Sequence, residues 1–181
     1  MSLVALVLLL ASALVLVRLH TLPTGLSPLR DAVSDYGTTH AHIHYRAMVV
    51  LLGAGAGFLA LALRNEGDIS RSGLVWLWVF ALSRIAIAAF MTVRPGRRAT
   101  GAARIHLLLA AAAFTSIAIA APTISGDLEL AQPLATLVIV TAVATLVTRA
   151  VPRLAGVFGA VERGLYAAFL AWLIVVAISA L

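Results

Sequence analysis

The sequence predicts an all-α fold: a polytopic integral membrane bundle of six transmembrane helices with a short interfacial helix in the first loop. Three observations carry that prediction. The 181 residues are 62% hydrophobic and only 11% charged, with a mean hydropathy of +1.07, whereas soluble domains average about 45–50% apolar and about 25% charged. A soluble core of this size cannot absorb so much apolar surface, so the excess faces lipid. Six apolar stretches, each near the ~20 residues that a membrane-spanning helix needs, divide the chain at about 2–20, 45–63, 73–93, 104–121, 132–149 and 161–181. Finally, all thirteen basic residues are arginines, and nearly all of them fall between those stretches.

The first stretch lacks a basic leader. It runs into Arg18-Leu19-His20-Thr21-Leu22-Pro23 without a small-x-small cleavage site, so it reads as a retained span rather than a signal peptide. In the first loop, Ser27 can cap a short helix with Pro28 at its first position and Gly37 at its end. Leu29, Ala32, Val33 and Tyr36 then form one apolar face, with Asp31, Ser34 and Asp35 opposite. Two readings stay open there: an amphipathic connector whose Asp31 pairs with an arginine, or a lid that offers Ser34, Asp35 and Tyr36 to a ligand. In the second span, Gly53 and Gly57 stand one turn apart and predict a close helix–helix approach. Asn65-Glu66-Gly67-Asp68 follows that span, and Arg94-Pro95-Gly96 ends the third. Pro122 is expected to end the fourth, Pro133 to lie in the first turn of the fifth, and Pro152 to end it. The chain reads as a single domain over 1–181.

The arginines set the topology. The first, third and fifth loops with their flanks hold Arg18, Arg30, Arg46, Arg94, Arg97, Arg98, Arg104, Arg149, Arg153 and Arg163, ten in all. The opposite side holds Arg64 and Arg71. Ten against two predicts odd-numbered loops in the cytoplasm, both termini outside, and a multi-pass protein of the inner (plasma) membrane. Arg94, Arg97, Arg98 and Arg104 are expected to meet anionic lipid headgroups. The net charge of +6 is therefore a topology signal, and no basic, aromatic-interleaved face points to nucleic acid. The absence of cysteine excludes disulfides and thiol chemistry. The absence of lysine excludes Schiff-base chemistry.

Candidate site residues follow from that topology. Arg84 lies about ten positions, or about 15 Å of helix, from the end of its span. An arginine at the bilayer centre costs roughly 2.5–3.5 kcal/mol. It must therefore face the bundle interior or snorkel, using carbonyls, hydroxyls such as Ser83 or Thr115, water or an anionic ligand. His40 and His44 share a helical face if the second span begins near residue 38 or 39, a spacing that suits two metal ligands such as those of zinc. His20 and His106 stand at matched depth, as two axial ligands of a b-type haem would. Alternatively, with Tyr36 they brace the first-loop helix. Glu162 and Arg163 are expected to form a fixed polar pair. The topology gathers His20, Asp31, Ser34, Asp35, Tyr36, His40, His44, His106, Glu162 and Arg163 at the cytoplasmic end.

Leu19-His20-Thr21-Leu22-Pro23-Thr24-Gly25-Leu26-Ser27-Pro28, followed by Asp31-Ala32-Val33-Ser34-Asp35-Tyr36-Gly37, resembles the opening signature of the DUF998 family of six-helix bacterial and archaeal membrane proteins. Gly101 with His106, and Gly159 with Glu162-Arg163 and Trp172, resemble its later signatures. At Met91-Thr92-Val93 the chain departs from the Pro-Thr-Asp expected there, so an acidic partner at Val93 is missing. The resemblance covers essentially the whole chain; it implies the fold and the choice of residues, but no activity.

Two functional readings follow. The first is a non-enzymatic protein that binds a lipid or amphipathic small molecule at the cytoplasmic end through Arg84, His20, Ser34, Asp35, Tyr36, His106, Glu162 and Arg163. It would act alone, in a homo-oligomer, or as an accessory subunit of a larger membrane assembly, and would need no cofactor. The alternative is a membrane enzyme or redox protein with a histidine-ligated metal or b-type haem. Coupled transport lacks its usual paired acids and broken helices.

Overall fold

A computed structural model describes residues 1–64, 69–93, 98, 100–126 and 128–181. Among them six α-helices and two short 3₁₀ helices occur, and no strand. The α-helices are α1 (Ser2–Thr21), α2 (His42–Leu63), α3 (Arg71–Ile87), α4 (Gly101–Ser125), α5 (Ala131–Ala150) and α6 (Phe158–Ser179). One 3₁₀ helix, Val33–Thr38, lies in the first loop, and the other, Pro152–Val157, leads into α6. Each α-helix packs on its successor and α6 also packs on α1, so the chain closes on itself.

Neighbouring helices run antiparallel, as individual contacts establish. Ser2 at the start of α1 donates to the Ala180 carbonyl just past α6 (2.7 Å), while Arg163 in the first turn of α6 reaches His20 at the end of α1 (2.7 Å). Ser12 of α1 donates to the Met48 carbonyl of α2 at 2.9 Å. Consequently the C-terminal ends of α1 and α3 and the N-terminal ends of α2, α4 and α6 meet at one end of the molecule.

Five segments are long and apolar enough to cross a membrane: Ser2–Thr21, His42–Leu63, Gly101–Ser125, Ala131–Ala150 and Pro152–Ser179. These match five of the expected spans. The third differs: α3 has 17 residues and stops at Ile87, followed by turns and a bend at 88–90 and irregular chain at 91–93. The fourth also differs, because Pro122 lies inside α4. Its ring removes one hydrogen bond, yet only three residues follow before Gly126, whose φ of 41° suits a helix-ending glycine. Thr100 caps α4 by accepting from the Ala103 N–H at 3.2 Å.

The glycine run of α2 serves two interfaces. A Cβ at Gly53 would meet the Ala81 carbonyl of α3 at 2.6 Å, and one at Gly55 would meet Leu9 of α1 at 2.9 Å. Gly57 is looser, with the Trp78 ring at 3.4 Å. The close approach thus runs through Gly53 and Gly55 rather than Gly53 and Gly57.

The first loop does not form the expected amphipathic α-helix over 28–37. Residues 28–30 turn, Ala32 is extended (φ −64°, ψ 153°), and the 3₁₀ helix begins only at Val33. The acids cause this break. The Asp31 carboxylate accepts from the Ser27 N–H (2.6 Å) and the Asp35 carboxylate from the Ala32 N–H (2.9 Å), each holding a turn shut from within. The proposed apolar face therefore splits, with Leu29 exposed and Val33 and Tyr36 buried.

Candidate functional site

The gathered end is built around the first turns of α6. Glu162 and Arg163 are adjacent there but do not form the expected pair. Neighbouring residues on a helix point about 100° apart, and each side chain finds a different partner. Glu162, buried, accepts from the Val33 N–H at 2.6 Å and so fixes the start of the first 3₁₀ helix. Arg163 donates through Nε to His20 Nε2 (2.7 Å) and through Nη1 to the carbonyls of Pro28 and Asp31 (both 2.8 Å) and Gly159 (2.9 Å). Its guanidinium also lies over the Tyr36 ring, 5.8 Å from the centroid. Asp31 is thus held through its carbonyl, not by the expected ion pair of its carboxylate. Gly159 permits this docking, because a Cβ there would run into the Asp31 carbonyl.

His20 and Tyr36 meet edge to face at 5.7 Å. The His20 Nδ1 faces the Leu16 carbonyl at 2.7 Å. A carbonyl only accepts, so Nδ1 carries the proton and Nε2 receives the Arg163 N–H; both ring nitrogens are engaged. His106 is not part of that contact: its Nδ1 donates to the Phe90 carbonyl at 2.7 Å. Asp35 is buried and Ser34 is half-buried in the 3₁₀ helix. Burial raises the Asp35 carboxyl from its ordinary value and the nearby Asp31 adds to this, opposed by the Ala32 N–H and the charges of Arg149 and Arg163.

A second group lies one turn further along α6. Arg84 is only 1% exposed, although it sits in the last turn of α3, three residues before Ile87, and not ten from the end of its helix as the sequence suggests. One Nη2–H donates to the Tyr166 hydroxyl. The guanidinium stands 5.0 Å from the centroid of the Tyr166 ring and 6.0 Å from that of Phe114. Tyr45, Arg84, Tyr166 and Glu162 lie within electrostatic reach of one another. Two buried donors have no hydrogen-bond partner among the described residues: Arg84 Nε and Arg163 Nη2.

The sequence reading missed Tyr45 and Tyr166. Tyrosines at span ends ordinarily read as interfacial anchors, but all three tyrosines here are buried. The available signal was spacing, since Tyr166 follows Glu162 by one turn. His40 and His44 lie apart from both groups. Because α2 starts at His42, His40 is in the preceding turn and the two do not share a helix; both are exposed. Among the described residues, no group of three or more His, Cys, Asp or Glu is arranged to hold a metal ion. Of the basic cluster, Arg98 and Arg104 are exposed, and Arg94 and Arg97 lie outside the described residues.

The family of proteins of unknown function designated DUF998 matches residues 3–179 of the chain. No curated protein matches it, and no solved structure does.

Proposed function

The chain belongs to the DUF998 family, and from that premise we propose that it is a non-enzymatic membrane protein that binds a lipid or amphipathic small molecule at the cytoplasmic end of its bundle. One observation carries this reading: a buried arginine, Arg84, whose Nε–H is unpartnered at an end of the bundle rich in polar side chains. Buried polar groups are nearly always hydrogen-bonded, and ionisable groups in a membrane bundle mark sites of function by default. A lipid headgroup supplies the missing acceptor and an apolar tail that the surrounding spans solvate.

In this reading α3 is the sixth crossing. At 17 residues it is about 26 Å long, slightly under the ~30 Å hydrocarbon core, and the arginine-rich loops place both termini outside the inner membrane. The protein works alone or as an accessory subunit of a larger assembly. Histidine-ligated metal or haem has less support, since His20 uses both ring nitrogens. Native mass spectrometry of detergent extracts tests the proposal: the wild type is expected to retain a defined lipid that Arg84→Ala loses. Unchanged lipid content in the variant removes Arg84 from the site, and a Soret band or stoichiometric zinc in the wild type promotes the alternative.

A further inference from the structure

Resting on the lipid-binding reading above, we infer that the ligand carries a net anionic oxo group, a phosphate ester or a carboxylate, seated on Arg84 between α2, α3 and α6. Arg84 spends one N–H on the Tyr166 hydroxyl, and its Nε–H is left over. With its oxygen receiving that N–H, the Tyr166 hydroxyl has its own proton to give, and the Tyr45 hydroxyl makes no hydrogen bond among the described residues. The unpartnered Nε–H and the two tyrosine hydroxyls lie within electrostatic reach of Glu162, one of whose oxygens is already held by the Val33 N–H.

Aromatic rings of Tyr166 and Phe114 flank the guanidinium. They shield it from water and supply no hydrogen-bond acceptor in its plane. A neutral hydroxyl or amide ligand would satisfy one donor and leave Glu162, itself tied to the Val33 N–H, as the carboxylate within electrostatic reach of the guanidinium. An oxo anion presents several lone pairs in one plane and matches the Nε edge of arginine. The same chemistry could come from a lipid headgroup or from free phosphate, and the two separate experimentally.

The full-length protein is placed in nanodiscs of equal parts phosphatidylglycerol, phosphatidylcholine and diacylglycerol, and retained lipid is read by native mass spectrometry. Loss of a charge-assisted hydrogen bond corresponds to roughly tenfold or more in affinity. Phosphatidylglycerol is thus expected to be enriched about tenfold in the wild type, and Arg84→Gln is expected to abolish the enrichment. Tyr45→Phe, which keeps the ring and removes one donor, is expected to reduce it even if the arginine variant fails to fold. Arg153→Gln, at an exposed arginine of the 3₁₀ helix before α6, is expected to leave it intact. Retention of all three lipids alike overturns the anionic assignment and leaves lipid binding standing. An equal loss in Arg153→Gln assigns the preference to surface arginines and also overturns it. Failure to retain any lipid, together with no stabilisation by inorganic phosphate, overturns both readings. If inorganic phosphate raises the melting temperature of the detergent-solubilised protein in an Arg84-dependent way and no lipid is retained, the anion site stands and the lipid reading falls.

Discussion

Replacing Arg163 by methionine keeps the length of the aliphatic stem and removes the fork that ties the first loop to α6 and α1. Three of its bonds cross between elements: to His20 Nε2 at 2.7 Å and to the Pro28 and Asp31 carbonyls at 2.8 Å. The bond to Gly159 stays within α6 and contributes nothing to docking. Net hydrogen bonds of this kind are each worth about 1 kcal/mol, somewhat less for the exposed one to Pro28. The guanidinium over Tyr36 adds about 0.5 kcal/mol. Together the substitution should weaken loop docking by about 3 kcal/mol, roughly a hundredfold in the opening equilibrium. Hydrogen exchange in detergent reads it directly at two amides, Val33, which donates to Glu162, and Ala160, which donates to the Leu29 carbonyl at 3.1 Å. Both should lose protection while amides in the middle of α2 keep theirs. A change below about threefold at Val33 and Ala160 would refute the reasoning, because it would mean that apolar packing of Val33 and Tyr36 holds the loop without the arginine.

Gly53→Ala should destabilise the bundle by about 1–3 kcal/mol, since the added methyl meets the Ala81 backbone carbonyl; Gly57→Ala should be nearly silent. Equal shifts in melting temperature for the two would refute that distinction. Trp172 donates its indole N–H to the Ser125 hydroxyl at 3.0 Å in the buried interior. Ser125→Ala leaves that N–H unpaired and should cost about 1–3 kcal/mol, visible in thermal unfolding; an unchanged midpoint would count against the bond. The raised pKa of Asp35 predicts a pH dependence: the folded carboxyl holds its proton more tightly than the unfolded one, so loop docking is strongest below pH 3.8 and weakens as pH rises through the raised value. Asp35→Asn should flatten that slope in Val33 hydrogen exchange, and a slope identical to the wild type would assign it to another group.

Much of the architecture was legible because lipid imposes a simple rule on length and polarity. Each expected span has its α-helix, and the loops whose arginines were grouped by alternation do meet at one end. What stayed hidden depended on side chains closing turns on themselves. Asp31 and Asp35 read as the polar face of a helix, yet each carboxylate caps a backbone N–H within its own loop and breaks that helix at Ala32. The end of α3 at Ile87 was likewise invisible, because residues 88–93 remain apolar or small after the helix has stopped. Apolar composition marks what lipid tolerates, not where the hydrogen-bond ladder stops. Arg84 was flagged by its cost alone; its partner, Tyr166, comes from a helix 82 residues away in sequence, a pairing that no local pattern encodes.

The two groups of polar residues at this end differ in how completely they are satisfied, and that difference separates their roles. Around Arg163, the acceptors of His20, Pro28 and Asp31 are matched by the N–H groups of the guanidinium, and Arg163 Nη2 is the donor left without a partner among the described residues. Such a network rigidifies and needs no ligand. Around Arg84, the Nε–H has no partner and neither tyrosine hydroxyl donates a hydrogen bond among the described residues, so that group gains most from an occupant. Glu162 joins the two, holding Val33 on one side and standing within reach of Arg84 on the other. Changes at Arg163 should therefore move loop protection more than ligand retention, and changes at Arg84 or Tyr45 the reverse. Glu162→Gln should move both, since binding and docking that share one residue are linked reciprocally. If Glu162→Gln altered loop protection and left retention untouched, the two groups would be independent, and the first loop would be a structural brace with no part in binding.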